Sequence, residues 1–173
     1  MPPKPSELYH GSSTLIEGPL TPILVRSSED HIHDRPAVFA TERMDLAALF
    51  MLPESLLHSI GFEEDIAYIC IWGTAEEITL EDKEGYMYVF SSDSFEKIGK
   101  GYEWQSFVEV MPVSVRKFEA SVGGMIECGV QVYFINDDPL FDKIVLDKDH
   151  RAEFLKNETS ENQKSGRNIK LFS

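Results

Sequence analysis

An α+β fold is what this sequence of 173 residues predicts, and three observations predict it. The second half reads as strand after strand, with extended patterns at Tyr86–Phe90, Tyr102–Val110, Val113–Phe118 and Val130–Ile135. Helical patterns do not alternate with these strands regularly enough for a doubly wound parallel sheet. The run from Ile66 to Trp72 is apolar throughout, the pattern of a central strand buried on both faces.

In chain order, a short strand is expected near Leu8-Tyr9-His10. Pro19, Pro22 and the polar stretch from Ser27 to Pro36 mark irregular chain, with Ile23-Leu24-Val25 as a strand between them. Ala37-Val38-Phe39-Ala40 reads as a short buried strand. Thr41 then caps a helix from Glu42, whose carboxylate suits the first turn. Leu46, Leu49, Phe50 and Met51 form the apolar stripe of that helix, and Pro53 interrupts it. Leu56, Leu57 and Ile60 suggest a second helical piece ending at Gly61.

After the Ile66–Trp72 strand, the acidic cluster Glu76, Glu77, Glu81, Asp82 and Glu84 lacks calcium-loop spacing and reads as a solvated turn. Ser92 or Asp93 caps a helical turn through Ile98. From Tyr102 to Val110 the alternation sets Trp104, Ser106, Val108 and Val110 on one face and Glu103, Gln105, Phe107 and Glu109 on the other. Asp138 before Pro139 starts a helical pattern over Leu140 to Leu155. The expected organisation is one domain over 1–155 and a polar, flexible tail over 156–173.

Thirty acidic residues against 16 basic ones give a formal net charge of -14. Nucleic-acid binding needs clustered cations to neutralise phosphates, and no basic stripe exists here, so that class is disfavoured. Anionic membrane surfaces are disfavoured on the same ground. Cys70 and Cys128 read as buried thiols in strands or at strand edges, without a Cys-x-x-Cys spacing. Met1-Pro2-Pro3-Lys4-Pro5 has no apolar leader pattern and no run approaches a membrane span, so a cytoplasmic protein is expected.

The segment Tyr9-His10-Gly11-Ser12 carries the most chemistry. Gly has no Cβ, so a ligand can approach its peptide group closely beside the imidazole. A flat carboxamide can bond the Gly11 N–H and C=O, His10 can bond a sugar hydroxyl, and Ser12 adds a third polar group. About thirty residues on come Val38-Phe39-Ala40-Thr41 and then Asp45-Leu46-Ala47-Ala48-Leu49-Phe50.

Together these segments resemble the ADP-ribosyltransferase superfamily, in its poly(ADP-ribose)-polymerase-like or diphtheria-toxin-like branch. The likeness covers residues 8–50 well and 86–118 more loosely. It implies a split fold of mostly antiparallel sheets with a few short helices, with NAD as substrate and no metal. By that resemblance Tyr9, His10, Gly11 and Ser12 bind NAD, with His10 on a ribose hydroxyl and Gly11 on the nicotinamide carboxamide. Phe39 and Ala40 lie against the nicotinamide, and the helix carrying Ala47 and Phe50 walls its other side. Glu103 is the matching catalytic glutamate beside His10, with Glu109 as the alternative. Val38 and Leu49 stand where the family has tyrosines. Glu103-Trp104-Gln105 lacks the Glu-x-Glu pair of the arginine-specific toxins, which disfavours arginine as acceptor. A second expectation keeps the fold without the reaction, as a module binding a nucleotide or a protein partner. His31-Ile32-His33-Asp34 is read as solvated loop rather than a metal site.

Overall fold

The computed structural model describes residues 4–24, 35–63, 65–147, 151, 153–157 and 169–172. Two sheets and a few short helices make up these residues. The first sheet holds β1 (Glu7–Ser12), β2 (Val38–Thr41), β5 (Gly85–Ser91), β6 (Glu96–Lys97), β7 (Glu103–Ser106) and β8 (Ser114–Phe118), in the order β6-β7-β2-β1-β5-β8. The second holds β3 (His58–Glu63), β4 (Ile66–Trp72), β9 (Gln131–Ile135) and β10 (Ile169–Phe172), in the order β10-β9-β4-β3. Every pairing is antiparallel except β4 with β9. The fold is α+β with mostly antiparallel sheets, as the sequence predicts.

Register fixes which side chains meet. Side chains opposite one another on paired strands share a face, and their neighbours along the strand take the other. In the first sheet, Leu8, Val38, Ala40, Tyr86, Tyr88, Phe90 and Trp104 build an apolar cluster on one face, completed by Leu20, Phe95 and Val110. Met87 and Phe118 on the opposite face join a second cluster with Ala67, Ile69 and Ile71 of β4 and Val132 and Phe134 of β9. That cluster fills the space between the sheets, together with α1 (Met44–Ala48), the 3-10 turn Leu49–Met51 and α3 (Ser121–Glu127). A third cluster covers the outer face of the second sheet, where Tyr68, Cys70, Tyr133 and Ile135 meet Phe141 and Ile144 of α4 (Asp138–Leu146) and Leu155.

Several elements differ from expectation. Leu56, Leu57 and Ile60 belong not to a helix but to the approach and body of β3, paired with β4 from His58↔Ile71 to Glu63↔Ile66. That pairing sets Gly61 opposite Tyr68, whose ring passes where a Cβ would stand, 2.1 Å from the ring carbon. Thr41 closes β2, and α1 begins at Met44 with Arg43 at its N-cap and no side-chain cap. The acidic cluster contains α2 (Ala75–Glu81), begun by a capping box in which Thr74 and Glu77 bond each other's backbone N–H.

The expected turn through Ile98 becomes strand β6. β7 ends at Ser106, whose Oγ accepts the Val108 N–H, so the alternation expected to Val110 breaks off. Cys128 caps the C-terminus of α3 instead of sitting in a strand, and only Cys70 is fully buried. Ile23 makes an isolated bridge to Ala37, while Val25 lies outside the described residues. The segment expected as a polar tail includes Ile169–Phe172, which pairs antiparallel with β9.

Candidate functional site

The site begins where two strands part. β1 pairs with β5 along its whole length, from Glu7↔Ser91 to Ser12↔Tyr86, but meets β2 only at Tyr9↔Thr41. Glu42 N–H donates to the Tyr102 carbonyl at 3.1 Å, so the even-numbered peptide groups of this stretch face β7 and the odd ones face β1. Thr41 and Tyr9 therefore face each other, and two residues on Phe39 and Gly11 point their peptide groups into the same space. The ladder has no rung there. Instead the Phe39 carbonyl accepts a hydrogen bond from His10 Nδ1 at 2.8 Å.

That contact sets the chemistry of the imidazole. A carbonyl can only accept, so Nδ1 carries the proton and Nε2 keeps a lone pair. Burial lowers the His10 pKa from its ordinary value of 6.5, the Phe39 bond opposing that shift to a smaller extent. His10 is thus a neutral acceptor at neutral pH. Its ring meets the edge of Tyr88 at 6.1 Å, and Tyr88 Oη accepts the Ile16 N–H at 2.6 Å, which holds the following loop over this face.

Gly11 is required by packing. An ideal Cβ there would stand 1.9 Å from the Ala47 carbonyl oxygen, so α1 rests directly on the β1 backbone. Ser12 Oγ accepts from Thr14 N–H at 3.1 Å and donates to the Thr14 carbonyl at 2.8 Å, a local turn that ends the strand. Ala40 is buried in the His10-side cluster, and Phe39, half-buried, projects from the other face. Val38 and Leu49 are both buried in cores, one on each side of the first sheet. Phe50 is 61% exposed in the 3-10 turn.

Glu103 and His10 are not brought side by side. Glu103 pairs with Thr41, and Thr41 with Tyr9, so these three share one rung and one face. His10 lies on the opposite face with Ala40, Trp104 and Tyr88. One strand separates β7 from β1, a backbone distance of roughly 10 Å at ordinary strand spacing. On the His10 face β7 offers only Trp104 and Ser106, both buried. Glu109 is exposed beyond the end of β7, next to the isolated bridge Leu20↔Val110.

Beside Glu103 the chain builds a polar clasp that the sequence pattern does not reveal. The Arg43 guanidinium bonds Asp45 twice, at 2.6 and 3.0 Å, and donates to the Asp65 carbonyl at 2.7 Å. Tyr102 Oη donates to Asp65 Oδ1 at 3.0 Å. Asp65 sits in the left-handed region at φ 62°, which turns its carboxylate back toward the first sheet. The Arg43-x-Asp45 spacing was the visible half of this signal; the hairpin partner is distant in sequence.

Among the described residues no group of three or more His, Cys, Asp or Glu side chains is arranged to hold a metal ion. His31, His33 and Asp34 lie outside the described residues. No helix among the described residues is long and apolar enough to cross a membrane. Comparison with protein-family profiles, curated proteins and solved structures finds no match to this chain.

Proposed function

We propose that this chain binds NAD at the parting of β1 and β2 and acts as an NAD-dependent ADP-ribosyltransferase. One observation carries the reading: β1 and β2 pair only at Tyr9↔Thr41, and just beyond that rung lie the buried Gly11 and a neutral His10 acceptor bonded to the Phe39 carbonyl. A carboxamide pairs with a peptide N–H and C=O as another strand residue would, and a ribose hydroxyl donates to Nε2. Phe39 and Phe50 are assigned as its aromatic walls.

In the reaction the bond from nicotinamide to the ribose carbon breaks and nicotinamide leaves with the electron pair. The sugar acquires oxocarbenium character, as in glycoside cleavage. A carboxylate facing that charge stabilises the transition state more than the ground state, and it can take the proton released by the attacking acceptor. Glu103 is assigned this role. To meet both Glu103 and His10, the substrate must extend through the opening from one face of the sheet to the other. The acceptor is a protein or another nucleophile of unassigned class; nucleic acid is disfavoured by the net charge of -14.

A second reading, a module that binds the nucleotide without turning it over, is favoured by the position of Glu103 on the face opposite His10. Calorimetric titration of NAD into the wild type and into His10→Ala tests the site, and nicotinamide release separates the two readings. Binding lost in the variant supports the site. Absence of binding to the folded wild type would refute both readings. Nicotinamide in stoichiometric excess over protein would leave only the enzyme.

A further inference from the structure

β3 is an edge strand among the described residues, paired only with β4. Trp72 N–H donates to the Leu57 carbonyl at 2.9 Å, so Leu57, Ser59, Gly61 and Glu63 turn their peptide groups toward β4. His58, Ile60 and Phe62 turn theirs outward. Along this edge runs an open groove of about 730 Å³, lined by the strand from His58 to Glu63, by Tyr68 and by Arg151. Its volume lies within the range of ordinary ligand sites.

Arg151 is the unusual member. It is 5% exposed, and its guanidinium donates to three carbonyls: Ile144 at 2.8 Å, Val145 at 3.3 Å and Ile60 at 2.8 Å. Two of these belong to the last turn of α4, whose dipole presents about half a negative charge. None of the ion pairs among the described residues includes Arg151. These carbonyls take three of its five N–H donors, and the Tyr68 hydroxyl oxygen accepts a further side-chain hydrogen bond from the guanidinium. At the other end of the groove stands Glu63, three residues along the strand from Ile60, or roughly 10 Å.

From this arrangement we propose that the groove beside β3 receives the C-terminal end of a short extended peptide. The peptide carboxylate takes the remaining Arg151 donor. Its chain runs along the edge toward Phe62, whose outward peptide group adds a rung, and a positive amine meets Glu63. The spacing of the two charges fits a ligand of two or three extended residues. Because Arg151 already occupies the Ile60 carbonyl, a long through-running strand is excluded, and a chain terminus is what the groove admits. The Tyr68 ring lying flat over Gly61 forms the floor.

The test is amide chemical-shift titration of the full chain with trialanine carrying free termini, with its C-terminal amide and with its N-acetyl form. Free trialanine should give saturable shifts at His58–Glu63. Amidation should weaken binding tenfold or more, roughly the loss of one charge-assisted contact. N-acetylation should weaken it less, and Glu63→Gln should abolish that difference while leaving the fold intact. Arg151→Lys, which keeps the charge but not the fork, should weaken the acid and leave the amide unchanged. If that variant does not fold, the acid-against-amide comparison on the wild type still decides. No saturable shift with free trialanine, or equal binding of acid and amide, would overturn the proposal.

Discussion

His10 and Phe39 are joined side chain to backbone at 2.8 Å, in the place where β1 and β2 would otherwise make their next rung. The bond holds the imidazole in one tautomer, and burial lowers its pKa from 6.5. The folded state therefore takes up a proton at this site only at lower pH than the unfolded chain does. Stability contributed by neutral His10 is complete above pH 6.5 and is lost as pH falls through the lower folded value. Urea unfolding of the wild type should show this loss, and its stability margin over His10→Gln should shrink as the pH falls below 6.5. A difference that is constant with pH would place the His10 titration elsewhere. NAD binding should weaken over the same window, because protonated Nε2 no longer accepts.

Gly11→Ala should destabilise the fold by about 3 kcal/mol or more, the upper end for forced overpacking. The clash is with a backbone oxygen, Ala47 O, at 1.9 Å, and α1 has no flexible end to move aside. Gly101→Ala is the control, with nothing within 4 Å of the added methyl group, and should change stability by less than about 0.5 kcal/mol. Equal unfolding midpoints for the two variants would show that α1 is free to lift off β1.

If the chain turns over NAD, Glu103→Ala should lower kcat by about 10²–10³. Glu103 is exposed, so the variant should keep its melting temperature and much of its NAD affinity. Nicotinamide release measured alongside calorimetry distinguishes these effects. Undiminished release in the variant would remove Glu103 from the reaction.

Asp82 caps α3 from a distance: its carboxylate accepts from Ser121 N–H at 3.1 Å, Ser121 Oγ at 2.5 Å and Val122 N–H at 3.2 Å. Asp82→Ala leaves these donors without their partner and should cost about 1–2 kcal/mol. Amide exchange should quicken first in α3. Loss spread evenly over the molecule would argue against a local cap.

Two ion pairs make a further comparison. Arg43 and Asp45 are 23% and 12% exposed at the side chain and doubly bonded, whereas Arg116 and Glu127 are 53% and 58% exposed. Arg43→Met should cost about 1–3 kcal/mol with little dependence on salt, since it also frees Asp65 and Tyr102 from the clasp. Arg116→Met should cost about 0–1 kcal/mol, and less at high salt. Similar losses in the two denaturation curves would contradict the clasp.

Where local pattern decides structure, the sequence was legible. Ile66–Trp72 reads as a buried strand because both faces of its middle, from Ala67 to Ile71, are buried, and Tyr86–Phe90 and Val130–Ile135 follow similar logic. Where a distant partner decides, it was not. The spacing of Leu56, Leu57 and Ile60 is equally helical, and only the Tyr68 ring over Gly61 selects the strand. Gly123-Gly124 hides α3, which forms because an added Cβ at Gly124 would stand 2.6 Å from Phe118: the helix rests on that ring. The capping box Thr74-x-x-Glu77 marks α2 without tertiary help, yet the acidic composition around it reads as a solvated turn. For the proposed site, motif order draws attention to His10 and Gly11, which β1 carries. The face taken by Glu103 depends on the register of β7 against β2, which strand alternation alone cannot supply.

The chain lays down β1 and β2 in one sheet, β3 and β4 in the other, then returns to the first for β5 to β8 before β9 closes parallel against β4. Neither sheet is a continuous stretch of polypeptide. Contacts that far apart in sequence are entropically expensive to close and slow to form. Folding should thus be cooperative and limited by the late docking of β9, and a nascent chain ending before that strand should expose β4 as an unprotected edge. A fragment cut between the two visits to either sheet would be left without a core of its own, so the molecule should survive proteolysis whole or not at all.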